Sequence, residues 1–167
     1  VTLNKQGEVV DAEWLDDGTR IIFPVTPASV TRTAKPEPHP LVDKLKTYTP
    51  DFPAYTAFHE RLEEWTLSTS GRVHEFLDIV TKAILDEDFV KNLANKLVPN
   101  ATLDGLNLID EDGKTTDLSD VFIEFAVARF DGLKDVSVTE YVDLHQFYIA
   151  YMRSVLANEP QNICNIS

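Results

Sequence analysis

Three prolines at alternate positions in the segment AKPEPHP constrain the fold more than any other feature of this sequence. Pro36, Pro38 and Pro40 each fix the backbone φ angle and remove a hydrogen-bond donor, which favours an extended chain and forbids helix. Residues 31–53 are therefore expected to form a stiff strap over the surface. The alternative is a proline-rich ligand for a partner domain, although no arginine flanks the PxxP core.

The strap separates segments of different character. We expect residues 1–30 to form a β-meander, residues 54–160 an acidic helical bundle and residues 161–167 a tail, all within one compact domain. A length of 167 residues suits a single domain, and 43% apolar with 26% charged residues is an ordinary globular composition.

The N-terminal segment has the alternating pattern of a half-buried antiparallel sheet. Val10, Ala12 and Trp14 recur at every second position, and glycines 7 and 18 supply the positive φ that tight turns require. The last strand, TRIIFPV, is expected at an edge of the sheet because Pro24 cannot donate to a neighbour.

From residue 53 the apolar period becomes helical, with three amphipathic segments before Pro99. Their apolar stripes are Tyr55, Phe58, Leu62 and Trp65, then Val73, Phe76, Leu77, Val80 and Ile84, and finally Phe89, Val90, Leu93 and Leu97. Ser70 is expected to cap the second helix. Residues 118–131 are predicted to form a fourth helix, capped by Asp117 and closed by Gly132, although their alternation also fits a strand.

The last helix, from the capping box of Ser137 and Glu140 to Pro160, is apolar most of the way round. One stripe consists of Val138, Val142, His145, Ile149, Met152 and Leu156. A second apolar face predicts a homo-oligomer interface formed by Tyr141, Leu144, Phe147, Tyr148, Tyr151 and Val155. The alternative is that this helix is central and that the N-terminal sheet covers the second face within one chain.

The predicted fold class is therefore α+β and α-dominant, with a small N-terminal antiparallel β-meander followed by a bundle of about five helices.

The net charge of −13 narrows the range of partners. Residues 101–167 carry twelve acids against four bases, which disfavours direct binding to nucleic acid or to anionic membranes. The acidity is expected to serve either a basic protein partner or solubility alone. We expect no membrane span and a soluble protein, with the cytoplasm favoured because the lone Cys164 cannot form a disulfide within the chain. The start at Val1 is interpreted as either processed or trimmed.

The segment DEDGKTTDLSD, residues 110–120, could be a calcium loop, a binding surface or a turn. The EF-hand pattern fails both with Gly113 at position 6, which puts Leu108 at position 1, and with Asp110 at position 1, so a turn is favoured. If the acids bind a partner, the predicted residues are Asp104, Asp110, Glu111, Asp112, Asp117, Asp120 and Glu124. The same carboxylates could instead imitate phosphates and inhibit a nucleic-acid-binding protein.

Two histidine–carboxylate pairs, His59 with Glu63 and His74 with Asp78, each lie one helical turn apart. Packed together they could bind a divalent metal and support a metal-dependent enzyme, although the spacing matches neither zinc proteases nor di-iron bundles. His145, inside an apolar stripe, is expected to be a satisfied core residue. No nucleophile elbow, P-loop or dinucleotide motif is present. We therefore expect no cofactor and a non-enzymatic interaction or assembly protein.

Overall fold

The structure, a computed structural model, describes residues 1–24, 41–53 and 55–158. Its helices are a 3-10 helix (Leu45–Tyr48), α1 (Tyr55–Ser68), α2 (Gly71–Leu85), α3 (Phe89–Leu97) and α4 (Val142–Asn158). Its strands are β1 (Thr2–Leu3), β2 (Val9–Asp11), β3 (Asp43–Lys44), β4 (Thr102–Asp104), β5 (Asn107–Ile109), β6 (Thr115–Asp117), β7 (Phe122–Ile123), β8 (Ala126–Asp131) and β9 (Lys134–Ser137).

The predicted fold class is wrong. The described residues form a mixed α+β structure with four α-helices and nine short strands in three sheets, rather than a meander followed by a five-helix bundle. Three predicted features lie outside the described residues: the alternating prolines 36, 38 and 40, the end of the last helix at Pro160, and the tail with Cys164.

Helices α1, α2 and α3 occur where the apolar period predicts them. In α1, Phe58, Leu62 and Trp65 follow the i, i+4, i+7 spacing and are buried, and all five residues of the α2 stripe are buried. Each large apolar side chain removed from water contributes about 1.5–3 kcal/mol, so these stripes drive the helices together. Ser70 precedes α2 in an extended conformation, but its side chain makes no capping hydrogen bond.

The N-terminal strands do not form a sheet of their own. β1 and β2 make the expected hairpin around Gly7, but β1 also pairs in parallel with β8, opposite Ala126 and Val127. The sheet order is β2-β1-β8-β9, and residues 20–24 form no third strand. Helices α1 to α3 therefore lie in the connection between two paired strands.

Residues 118–131 form strands rather than the predicted helix. Ile123, Phe125 and Val127 point into the core at every second position. The two signals for a helix have other roles. The Asp117 carboxylate accepts hydrogen bonds from the backbone N–H and the hydroxyl of Ser119, which is a turn with the same chemistry as a helix cap. Gly132 has a φ of 63° in the turn between β8 and β9.

Residues 41–48 of the strap do not lie over the surface as predicted, whereas Pro50, Asp51 and Pro53 are exposed. Leu41, Leu45 and Tyr48 are buried, and β3 pairs with β7 in a separate two-stranded sheet. Residues 41–48 thus enter the core, because their apolar residues are close enough together to fill it. The third sheet is the meander β4-β5-β6.

Helix α4 begins later than the capping box predicts. The Ser137 hydroxyl accepts a hydrogen bond from the backbone N–H of Glu140, but Ser137 is the last residue of β9 and the helix starts at Val142. The face predicted as the main stripe is partly exposed, with Val142 61% and Ile149 38% accessible, whereas Leu144 and Tyr148 are buried. The helix is rotated relative to the prediction.

Candidate functional site

The two histidine–carboxylate pairs do not meet. On α2, His74 Nδ1 lies 3.0 Å from the carbonyl oxygen of Thr66, and Asp78 forms an ion pair with Lys82 at 2.7 Å. On α1, the His59 ring packs on Tyr55, with 3.9 Å between ring centroids. Across the described residues, no three His, Cys, Asp or Glu side chains come together in a way that could hold a metal ion.

His59 has one unusual feature. Its Nε2 atom is buried and has no hydrogen-bond partner. Partial burial lowers the pKa of His59, because it removes water that would solvate the charged ring, and the carboxylate of Glu63 acts in the opposite direction. The geometry favours a neutral ring and gives it no chemical role. His145, by contrast, places Nε2 2.6 Å from the carbonyl oxygen of Val138.

The acidic segment is a turn between β5 and β6. The Asp110 carboxylate accepts hydrogen bonds from the backbone N–H groups of Asp112 and Lys114, and Gly113 has a φ of 80°. Asp110 is therefore occupied in shaping the turn, which leaves Glu111 and Asp112 exposed at its tip. The turn interpretation is confirmed, although β6 follows it rather than a helix.

The seven predicted partner-binding acids fall into three places. Asp110, Glu111 and Asp112 lie in the β5–β6 turn. Asp104 and Asp117 lie at the other end of the meander, where both face Asn107 across the sheet, and Asp120 follows shortly after. Glu124 lies apart, between β7 and β8. The acids therefore do not form one continuous surface.

Two of these acids are engaged by neighbouring groups. Hydrogen bonds from Lys46 and Lys44, at 2.8 and 3.1 Å, lower the pKa of Asp120. Hydrogen bonds from Ser119 lower the pKa of Asp117. Both carboxylates remain charged at neutral pH, but Asp120 shares its charge with two lysines and is poorly placed to attract a basic partner.

An apolar cleft of about 360 Å³ lies between the N-terminal hairpin, helix α3 and the segment before β8. We call it the Trp14 cleft. The loop after β2, helix α3 and the segment 118–126 line it, with Leu45, Leu93, Leu118 and Ile123 as buried contributors. Trp14, Leu15 and Phe122 line it too and remain 51%, 44% and 53% exposed, so they form its mouth.

The local sequence explains why these large side chains stay near water. β2 ends at Asp11, and the N–H and hydroxyl of Thr19 both donate to the Asp16 carbonyl oxygen, which holds residues 12–19 as a loop. Alternation on β7 directs Ile123 into the core and Phe122 outward. Exposed apolar groups of this size beside a cleft are typical of interaction sites.

The charged side chains that line the Trp14 cleft are acidic, and the N-terminal ammonium of Val1 lies among them, where burial lowers its pKa and Glu124 and Glu13 act in the opposite direction. Glu13, Asp16 and Glu124 line it, and no lysine or arginine does so among the described residues. Trp14 also lines a second cavity of about 330 Å³ with Asp110 and Lys114, which brings the acidic β5–β6 turn next to the cleft. The cleft thus combines apolar contact area with a negative field.

Sequence reasoning found Glu124 but missed Trp14, Leu15, Phe122, Glu13 and Asp16. The alternation of Val10, Ala12 and Trp14 predicted that all three face inward, yet only Ala12 is buried. The available signal was the pair Trp14-Leu15 flanked by acids in the segment EWLDD, which places apolar and negative groups together just before a turn.

The predicted oligomer interface on α4 is divided by the fold. Leu144 and Tyr148 are buried within the chain, and Tyr141, Phe147 and Tyr151 pack partly against the core. The Tyr151 hydroxyl donates to Glu64 on α1 at 2.8 Å. Val155 is half-buried. Self-association stays a prediction, and among the side chains of this helix that the structure describes, Val142 and Ile149 are the large apolar ones left exposed.

No protein family, curated protein or solved structure matches this chain. Among the described helices, none has the length and apolar character needed to cross a membrane.

Proposed function

We propose that this chain is a non-enzymatic protein-interaction module that binds a basic partner protein. The observation that carries the proposal is the Trp14 cleft, where exposed Trp14, Leu15 and Phe122 lie beside Glu13, Asp16 and Glu124. Aromatic residues in partly desolvated positions contribute much of the affinity of protein interfaces, and surrounding charges select partners of opposite sign.

The charge of the whole molecule supports the same function. A net charge of −13 attracts basic proteins over a distance of about 10 Å at 0.1 M salt. Glu111 and Asp112 extend the negative region beyond the cleft, since both are exposed at the tip of the β5–β6 turn. These acids accelerate encounter, while the apolar groups hold the complex together.

Affinity capture at low and high salt tests this function. The full chain is immobilised, and each captured protein is identified, purified and measured in direct binding. We expect purified partners of high isoelectric point whose Kd rises by at least about tenfold between low and high salt, because surface charges are screened. A partner set with no basic bias, or affinities independent of salt, would contradict the proposal.

The same experiment separates a nucleic-acid-mimicking inhibitor from other interaction proteins. If the carboxylates imitate phosphates, the captured partners are nucleic-acid-binding proteins, and duplex DNA or RNA competes with this chain for them. Competition by nucleic acid would favour inhibition, and binding that nucleic acid does not disturb would favour assembly.

A further inference from the structure

From the Trp14 cleft we infer how the partner is recognised: an extended or helical segment of the partner inserts apolar side chains into the cleft, and Lys or Arg residues flanking them pair with Glu13, Asp16 and Glu124. This inference rests on the proposed function and adds the chemistry of the bound segment.

The dimensions of the cleft fit side chains rather than a flat surface. A volume of about 360 Å³ lies at the lower end of the roughly 300–1,000 Å³ that ligand pockets occupy. Its interior is apolar, since Leu45, Leu93, Leu118 and Ile123 are almost fully buried there. An apolar side chain of a partner would lose its contact with water in this space, and Trp14 and Phe122 would cover it.

Charge complementarity determines which segment can enter. The cleft brings three carboxylates together against the single N-terminal ammonium of Val1, which interacts with Glu124 and Glu13, so the described lining keeps an excess of negative charge. An acidic segment would face repulsion from all three, and a neutral segment would leave them only partly compensated as water is displaced. Lys or Arg on either side of the inserted side chains would satisfy them.

Trp14 provides a direct readout of insertion. The chain has two tryptophans, and Trp65 is fully buried, so only the emission of the half-exposed Trp14 can change substantially when a segment fills the cleft. The probe is a short synthetic peptide with leucines between lysines and without aromatic residues. One control peptide has serines in place of the leucines, and a second has glutamates in place of the lysines.

We expect the leucine–lysine peptide to shift the Trp14 emission to shorter wavelength and to bind at least about tenfold more tightly than either control. The shift should vanish in Trp14→Phe, while calorimetry still detects binding. Ala126 lines the cleft from β8, so Ala126→Phe should fill it and weaken the leucine–lysine peptide alone. Phe122→Ser, at a half-exposed residue of the cleft mouth, removes apolar contact area without filling the core and should weaken the same peptide.

A matched pair of charge variants locates the basic contacts. Glu13→Gln with Glu124→Gln removes two charges from the cleft, and Glu111→Gln with Asp112→Asn removes two from the β5–β6 turn. We expect the first pair to weaken the leucine–lysine peptide at least about tenfold and the second to change its Kd by no more than about twofold.

The outcomes distinguish this inference from the proposed function. The serine–lysine peptide could bind as tightly as the leucine–lysine peptide, or the cleft and turn charge variants could weaken binding equally. Either result would mean that the attraction is diffuse. It would overturn insertion into the Trp14 cleft and leave the proposed function standing. If neither lysine peptide binds at low salt, insertion into the Trp14 cleft is overturned, and the partners captured by the full chain then decide the proposed function separately.

Discussion

At the scale of single residues, Gly7 illustrates how closely the N-terminal hairpin packs on α2. Its φ is 82°, and a Cβ atom there would lie 2.9 Å from the carbonyl oxygen of Ile79 and 3.0 Å from the Cβ of Lys82. Gly113 has a φ of 80° with no atom within 4 Å of the same position. The two glycines therefore share the backbone requirement but differ in available space.

We expect Gly113→Ala to lower the free energy of unfolding by about 1–2 kcal/mol, the cost of a left-handed conformation. Gly7→Ala should lose a further 1–3 kcal/mol or so, because the helix backbone must shift. Urea denaturation of both variants measures the difference. Equal losses would mean that the hairpin does not rest against α2.

The buried Nε2 of His59 makes stability depend on pH. The folded state holds the pKa of His59 below its unfolded value of about 6.5, so the unfolded state binds the proton more readily. Stability from the neutral ring is present above pH 6.5 and is lost as the pH falls below that value. Glu63 is the nearby acid that opposes this loss.

The free energy of unfolding is measured at pH 7.5 and 5.5, about one unit on each side of 6.5. We expect it to fall more in the wild-type chain than in His59→Gln, because the glutamine side chain does not titrate. His74→Gln, at a partly buried histidine whose Nδ1 is near a carbonyl oxygen, is the control. An identical decline in wild type and His59→Gln would show that His59 does not contribute.

Of the residues that line the Trp14 cleft, the sequence predicted one acid, Glu124, and missed Glu13, Asp16 and the exposed apolar residues. Glu124 follows from charge alone, whereas Trp14 and Phe122 reach the surface only because β2 stops at Asp11 and β7 pairs with β3. A large apolar residue is expected to be buried, and a local sequence pattern does not indicate which of these residues the fold leaves exposed to solvent.

At the scale of elements, the helices were predictable because their signal is local. The 3.6-residue period, read over a few turns, is sufficient for α1, α2 and α3. In residues 118–131 the local signals conflicted, and burial of Phe125 and Val127 on alternate positions outweighed the resemblance of Asp117 to a helix cap. Strand pairing decides such cases, and it depends on partners far away in the sequence.

Helix α4 offers a test of which face carries stability. Leu144 is fully buried and Val142 is largely exposed, although they are two residues apart. We expect Leu144→Ala to lower the unfolding free energy by about 2–5 kcal/mol and Val142→Ala by no more than about 0.5 kcal/mol. Thermal or urea denaturation measures both. A larger loss at Val142 would restore the face predicted from the sequence.

At the scale of the whole molecule, the pairing of β1 with β8 connects residues that are more than 120 positions apart. Thr2 lies opposite Ala126 and Leu3 opposite Val127, and Leu3 belongs to the same buried cluster as Trp65 on α1 and Met152 on α4. No local pattern in the first thirty residues could indicate this partner, which is why an independent N-terminal meander was expected. A destabilising substitution in β1 is therefore expected to lower the stability of every helix that packs on this core.

Leu3→Ala tests this connection. Because Leu3 is fully buried in the shared core, its truncation should lower the unfolding free energy by about 2–5 kcal/mol and move the whole transition. In a Trp14→Phe background, fluorescence reports Trp65 on α1 alone, while far-ultraviolet circular dichroism reports all helices. We expect both probes to shift to the same lower urea midpoint.

The control is Val10→Ala, on the neighbouring strand β2 at an exposed position, which should change either midpoint little. In a cooperative core, the loss of one buried contact lowers the stability of every element packed on it. If Leu3→Ala left the urea midpoints of circular dichroism and of Trp65 fluorescence unchanged, β1 would not be part of that cooperative core.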